Sequence, residues 1–150
     1  MQPLALGRRV LTAAALVLAL GGAAGCGAVP VPGSGGGAGS RYAHAYRPDG
    51  SATIVAGQAL TLRLGDMYFR PNTLIVARGT AVQLELHNGS RIEHNFTVEP
   101  LGISQNVGPG QTATVHFTPT TAGTYYFYCA VPGHAAAGMV GRLTVRQATR

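Results

Sequence analysis

The sequence predicts an all-β domain, a Greek-key β-sandwich or barrel of roughly seven to eight strands, over residues 53–150. Short runs in which apolar and polar residues alternate recur along this part of the chain, the periodicity of half-buried strands. Gly, Pro and Asn separate the runs at the spacing of turns. No long helical pattern interrupts them, since Ala135 to Gly138 is short and ends in Gly. About a hundred residues suffice for one modest core.

Taken in order, Ala59 to Leu64 puts Leu60, Leu62 and Leu64 on one face. Asp66 to Asn72 reads as a turn-rich connection, and Thr73 to Ala77 as the next strand. Arg78-Gly79 turns the chain. Val82, Leu84 and Leu86 then alternate with Gln83, Glu85 and His87, which predicts a half-buried antiparallel strand. Asn88-Gly89-Ser90 leads into a strand whose His94, Phe96 and Val98 share a face. Val107-Gly108-Pro109-Gly110 turns into Gln111 to Phe117, with Ala113, Val115 and Phe117 inward, and Thr118 to Ala122 is a loop. In the following strand Tyr125, Phe127 and Cys129 lie on one face, so the pleat carries a thiol to the strand's inner end. The same alternation leaves His87 and His116 on polar faces.

After Cys129, Pro132-Gly133 reverses the chain, and His134 and Met139 follow in a C-x4-H-x4-M pattern between two strands. One segment thus offers a thiolate, an imidazole and a thioether, and copper favours soft sulfur together with nitrogen. A second nitrogen is best supplied by His94, within Ile92-Glu93-His94-Asn95-Phe96-Thr97-Val98. Singly, each has a plainer reading: a lone His at a strand end is usually surface or core, and Met fills core gaps. Together they match a His2Cys plane with a weak axial Met. A nucleophilic Cys129 paired with His134 would lack an orienting Asn or Asp nearby and leave Met139 idle.

At these residues, over roughly Ala59 to Arg146, the sequence resembles the cupredoxins, the mononuclear blue-copper electron carriers. The H-N-F element and the Y-x-F-Y-C-x-x-P-G-H run carry the resemblance, and the H-x4-M spacing resembles that of the rusticyanin and sulfocyanin branch. The resemblance implies one type 1 copper, with His94, Cys129 and His134 as strong ligands and Met139 as the axial one. It also implies that Asn95 ties the two ligand segments together and hydrogen-bonds the Cys sulfur. The implied function is one-electron Cu(II)/Cu(I) shuttling between redox proteins, without catalysis. A binuclear copper centre needs a second Cys in the loop, and the position four after Cys129 is Gly133. Paired carboxylates, a hydrolytic triad and a nucleotide loop are not found. The alternative is an extracytoplasmic protein for copper storage or delivery, against which stands the lack of exposed Met or His clusters.

Upstream, Arg8-Arg9 and the apolar run Val10 to Leu20 have the features of a secretory signal, and the run is too short for a membrane span of about 20 residues. Ala23-Ala24-Gly25-Cys26 resembles a bacterial lipobox, so residues 1–25 are expected to be a lipoprotein signal and Cys26 a lipid attachment point. Cleavage at a small-residue site without lipidation is the alternative. Lipidation leaves Cys129 alone in an exported chain, where metal ligation explains an odd thiol better than a Cys26–Cys129 disulfide. Residues 26–52 then form a Gly/Pro/Ser-rich tether reaching about 25–30 Å. Near its end Tyr42, His44 and Tyr46 alternate, as if to begin a strand or cap the barrel.

All eleven basic residues are Arg, and without Arg8 and Arg9 nine remain against five acids, a net charge of +4. That balance suits an anionic membrane face or an acidic redox partner. Scattered Arg residues in an exported chain argue against nucleic acid. The expected location is the outer face of the bacterial cytoplasmic membrane or the periplasm, and the expected state a monomer. Val131, Pro132, Ala135, Ala136, Ala137 and Gly138 flank His134 without a charge, and the reading is an apolar docking patch through which electrons leave.

Overall fold

The computed structural model describes residues 38–148. The signal-like run, Cys26 and the Gly-rich centre of the expected tether lie outside the described residues. Ten strands follow one another: β1 (Ser51–Thr53), β2 (Ala59–Gly65), β3 (Tyr68–Arg70), β4 (Thr73–Ala77), β5 (Val82–Asn88), β6 (His94–Val98), β7 (Ile103–Val107), β8 (Thr112–Phe117), β9 (Gly123–Tyr128) and β10 (Val140–Arg146). They form a six-stranded sheet in the order β1-β4-β10-β9-β6-β7 and a four-stranded sheet in the order β3-β2-β5-β8. No described helix is long and apolar enough to cross a membrane.

The alternation read in the sequence places the core between these sheets. Leu62, Leu64, Leu84 and Leu86 from one sheet and Leu74, Val76, Phe96, Phe127 and Leu143 from the other are at most 1 % exposed. Each such side chain stabilises the fold by about 1.5–3 kcal/mol. At the centre, Phe69, Phe96 and Phe127 pack edge-on or tilted with centroids 5.1–6.1 Å apart. Gly141 pairs directly across from Phe127, and a side chain there would run into the ring.

The all-β sandwich expected from the alternation is present, with ten described strands where seven to eight were expected. Within Asp66 to Asn72, read as a connection, Tyr68–Arg70 pairs antiparallel with β2 and buries Phe69. Polar Ser104, Gln105 and Asn106 hid β7, which pairs with β6. Ser51–Thr53 adds parallel to β4. Strand β5, expected to be antiparallel, is parallel to β2 and antiparallel to β8, because alternation fixes which face is buried and not which way the neighbour runs. In β8, an edge strand, Val115 is buried while Ala113 and Phe117 are only half-buried.

Tyr42 and His44 lie in a 3-10 helix over Ala38–Ala45 and Tyr46 follows directly after it, so no strand begins there. Tyr42 and Tyr46 instead cover β9, with ring centroids 4.8 Å from Tyr128 and 6.1 Å from Tyr126. Glu99 joins this cover by accepting from the Tyr128 hydroxyl and pairing with Arg41 at 3.0 Å. His44 is exposed.

Candidate metal centre

Two neighbouring strands bring the expected ligands to one end of the sandwich. β6 starts at His94, and β9 delivers Cys129 immediately beyond its last residue. The register pair Thr97↔Tyr128 sets the two strands side by side. Where the next ladder bond would fall, the Asn95 N–H points at Cys129 Sγ, 3.2 Å away. Asn95 Oδ1 accepts from the Ala130 N–H at 3.3 Å, so its side chain joins the His94 segment to the Cys129 segment.

The loop from Cys129 to Met139 is held by its own backbone. Cys129 N–H donates to Met139 O at 3.2 Å, Met139 N–H to His134 O at 3.0 Å, and His134 N–H to Val131 O at 3.1 Å. Gly133 at φ +86° and Gly138 at φ +104° make the two reversals that this path requires, in a region side-chain-bearing residues avoid.

His94, Cys129 and His134 are 0 %, 1 % and 8 % exposed, and one donor atom from each lies within 4.8 Å of the other two. His134 Nδ1 is 3.3 Å from both His94 Nδ1 and Cys129 Sγ. Met139 is fully buried in the same core cluster as Cys129. Among the described residues these two Nδ1 atoms meet only each other and the sulfur. Two imidazole nitrogens and a thiol converging away from water are poorly paired with one another. A soft-to-borderline cation accepting all three satisfies them, so the residues fit copper.

Burial pushes the Cys129 thiol up from its ordinary range, although backbone N–H groups of Val131 and Asn95 oppose the shift by favouring thiolate. Burial also lowers the His94 pKa, against a hydrogen bond with Asp66 that raises it. Both shifts favour the neutral form, of the Cys129 thiol and of the His94 imidazole alike.

Among the uncharged residues flanking His134, Pro132, Ala136 and Ala137 are exposed and Val131 and Gly138 half-buried. Ala135 departs from the expected patch: it is 5 % exposed and packs with Tyr128 and Val140 under Tyr42 and Ala45. On one side the loop borders a cleft of about 370 Å³ lined by polar Glu93, Asn95, Ser104 and Asn106 along with Ala130, Val131 and Pro132.

Asp66 was missed as a partner of the centre. Its Oδ1 lies 3.2 Å from His94 Nε2, although the two residues are far apart in the chain and Asp66 sits in what reads as an ordinary turn. No spacing motif signals it, since only the pairing of β2 with β3 and β5 sets that turn beside β6.

A two-sheet sandwich with a buried His2Cys cluster at one end defines a mononuclear copper domain. A family model described as cupredoxin-like domain matches residues 46–145. The chain belongs to this family. It is 30% identical over 130 residues to the copper-resistant cuproprotein CopI of Rubrivivax gelatinosus, covering 69% of this chain and 79% of that one. With rusticyanin of Acidithiobacillus ferrooxidans it shares 31% identity over 94 residues, 49% of this chain and 60% of that one. The crystal structure of auracyanin A, a "blue" copper protein of Chloroflexus aurantiacus, superposes with a TM-score of 0.52 at 23% identity, covering 65% of this chain and all of that one. The protein is thus a copper-binding cupredoxin of the electron-carrier type, whose cofactor is one type 1 copper.

Proposed function

We propose that the chain is an exported blue-copper electron carrier in which His94, Cys129 and His134 would hold the metal with Met139 as a weaker fourth ligand, and which passes one electron at a time between redox proteins at the cell membrane. The observation that carries this reading is the convergence of one nitrogen from each of two histidines and one Sγ within 4.8 Å in a buried position. When bound, copper supplies a one-electron Cu(II)/Cu(I) couple. The residues do the rest. His94 and His134 present their Nδ1 atoms, and Cys129 presents a sulfur that already receives the Asn95 N–H. Burial of all three keeps water off, and ligands fixed to paired strands and a self-bonded loop change little between the two charge states.

Docking is assigned to Pro132, Ala136, Ala137 and Val131 around His134, a small apolar surface suited to brief encounters. Export rests on the signal-like residues 1–25. Anchoring rests on lipidation of Cys26, which mass spectrometry of the native N-terminus would decide.

A second reading, copper storage or delivery, is favoured by the likeness to relatives named copper-resistant cuproproteins. The two readings part on release: a delivery protein yields Cu(I) readily to a competing chelator, whereas a carrier retains copper in both oxidation states. The primary experiment is the visible spectrum of copper-loaded protein. An intense thiolate-to-copper band, lost in Cys129→Ser, is expected. A band that survives the substitution places the metal elsewhere and defeats the ligand assignment.

A further inference from the structure

The two histidines of the centre differ in what stands behind them. Their Nδ1 atoms face each other beside the sulfur, but only His94 has a charged side chain at its far nitrogen, with Asp66 Oδ1 3.2 Å from Nε2. Among the described residues no such hydrogen bond reaches His134 Nε2. A carboxylate only accepts, so the His94 Nε2 must carry the proton and donate. In a neutral imidazole that leaves the lone pair on Nδ1, the atom facing His134 Nδ1.

The carboxylate is also placed to be effective. The His94 ring is fully buried, while the Asp66 side chain is 58 % exposed. Water therefore solvates the carboxylate directly, and only one hydrogen bond is spent on the ring. Just before Asp66, the Leu64 carbonyl accepts from the Gly89 N–H at 3.1 Å. That bond fastens the turn to the loop leading into His94. Farther along this loop, the Asn88 amide donates to Ile92 O at 2.8 Å and to Val107 O at 2.9 Å, and Val107 is the register partner of His94. The histidine's backbone and its far nitrogen are thus both fixed.

We infer that Asp66 is a positioning residue for the metal centre: it selects the Nε2–H form of His94, aims Nδ1 at the metal position and sets a negative charge behind that ligand. The inference rests on the assignment of His94 as a ligand. Carboxylates behind ligating histidines fix the ring's orientation and raise its basicity, and losing one costs about 10–100-fold in metal affinity. A negative charge close to the metal also favours Cu(II) over Cu(I).

The test compares wild type with Asp66→Ala and Asp66→Asn. In metal-free protein, nitrogen NMR of the His94 imidazole should show a single Nε2–H form in wild type and a mixture with Nδ1–H in Asp66→Ala. Copper affinity, measured by competition with a chelator, should fall about 10–100-fold in Asp66→Ala and by less in Asp66→Asn, whose amide oxygen still accepts. The reduction potential should rise in both. Thermal unfolding of the metal-free proteins checks that each is folded, and the near-isosteric Asn variant carries the test where the Ala variant is not. An unchanged His94 form together with wild-type affinity and potential in a folded variant overturns the inference. Wild-type protein without a charge-transfer band would instead defeat the ligand assignment, a result the metal-free NMR comparison does not depend on.

Discussion

Gly141→Ala adds one methyl group and should cost more stability than any surface substitution. An alanine Cβ at 141 would sit 2.0 Å from Phe127 Cζ, 2.1 Å from Cε2 and 2.7 Å from Cε1. Carbon atoms settle at about 3.5–4.0 Å, so one side must retreat by roughly 1.5 Å. The ring has nowhere to go. Phe127 is fully buried, with Phe69 at 5.2 Å and Phe96 at 5.1 Å between centroids. Gly141 is not among the glycines of positive φ, so the backbone would accept an alanine and the whole effect is steric. Overpacking of this kind costs about 1–3 kcal/mol, and the severity of the overlap puts this case at the upper end. For a domain of about 100 residues each kcal/mol lowers Tm by about 4–8 °C, which gives a fall of roughly 12–24 °C in the metal-free protein. Circular dichroism during thermal unfolding measures it. Phe127→Leu, costing on the order of 1–2 kcal/mol alone, makes room for the methyl. The double variant should therefore be less destabilised than the sum of the two by about 0.5–3 kcal/mol. Cys129 lies two residues beyond Phe127, so the charge-transfer band of Gly141→Ala should shift even below its Tm. A Gly141→Ala protein within about 3 °C of wild type, or strictly additive effects in the cycle, would refute the claim that ring and glycine fit only each other.

Other outcomes follow from the centre. If Met139 is the weak fourth ligand proposed above, Met139→Gln should lower the reduction potential and Met139→Leu raise it, both with copper retained; unchanged potentials in both would make Met139 mere packing. Copper affinity should rise with pH: burial keeps the Cys129 thiol protonated, metal entry expels that proton, and so affinity falls by about tenfold for each unit that pH drops below the thiol's pKa. The lowered pKa of His94 adds no second proton near neutrality, and an affinity flat between about pH 6 and 8 would contradict this. Ala136→Glu, at an exposed position beside His134, should leave the visible spectrum intact yet slow electron self-exchange; an unaffected rate at both low and high salt would move the exit route elsewhere.

Where the proposed ligands share one short segment, the sequence already sets them near one another, since spacing in a tight loop is nearly spacing in space. Cys129, His134 and Met139 belong to that class. His94 lies on a different strand and was reached through its H-N-F neighbourhood and the need for a second nitrogen. Asp66 has neither kind of signal, because a contact between a hairpin turn and a strand start depends on sheet order. Residues that become buried through a neighbour's cover were missed for the same reason. Ala135 looks like any loop alanine until Tyr42 and Ala45 are seen beside Tyr128 and Val140. Strand β7 escaped because its partly exposed polar positions face the Asn95–Thr97 network and not water alone; Asn95 Nδ2 donates to Asn106 Oδ1 at 2.6 Å and Thr97 Oγ1 to Ser104 Oγ at 3.2 Å.

The backbone bond from Cys129 to Met139 closes the loop at its base, and the bond from Met139 to His134 closes it again inside. Fastened to itself in this way, the loop behaves as a clasp whose two jaws are set by their own hinge before they meet the strands. Lengthening or shortening the chain between His134 and Met139 would alter the clasp's grip while leaving the anchorage at Cys129 and Val140 where it is. Scaffold and grip can consequently diverge at different rates, one under the demands of a packed interior and the other under those of the metal and the partner it serves.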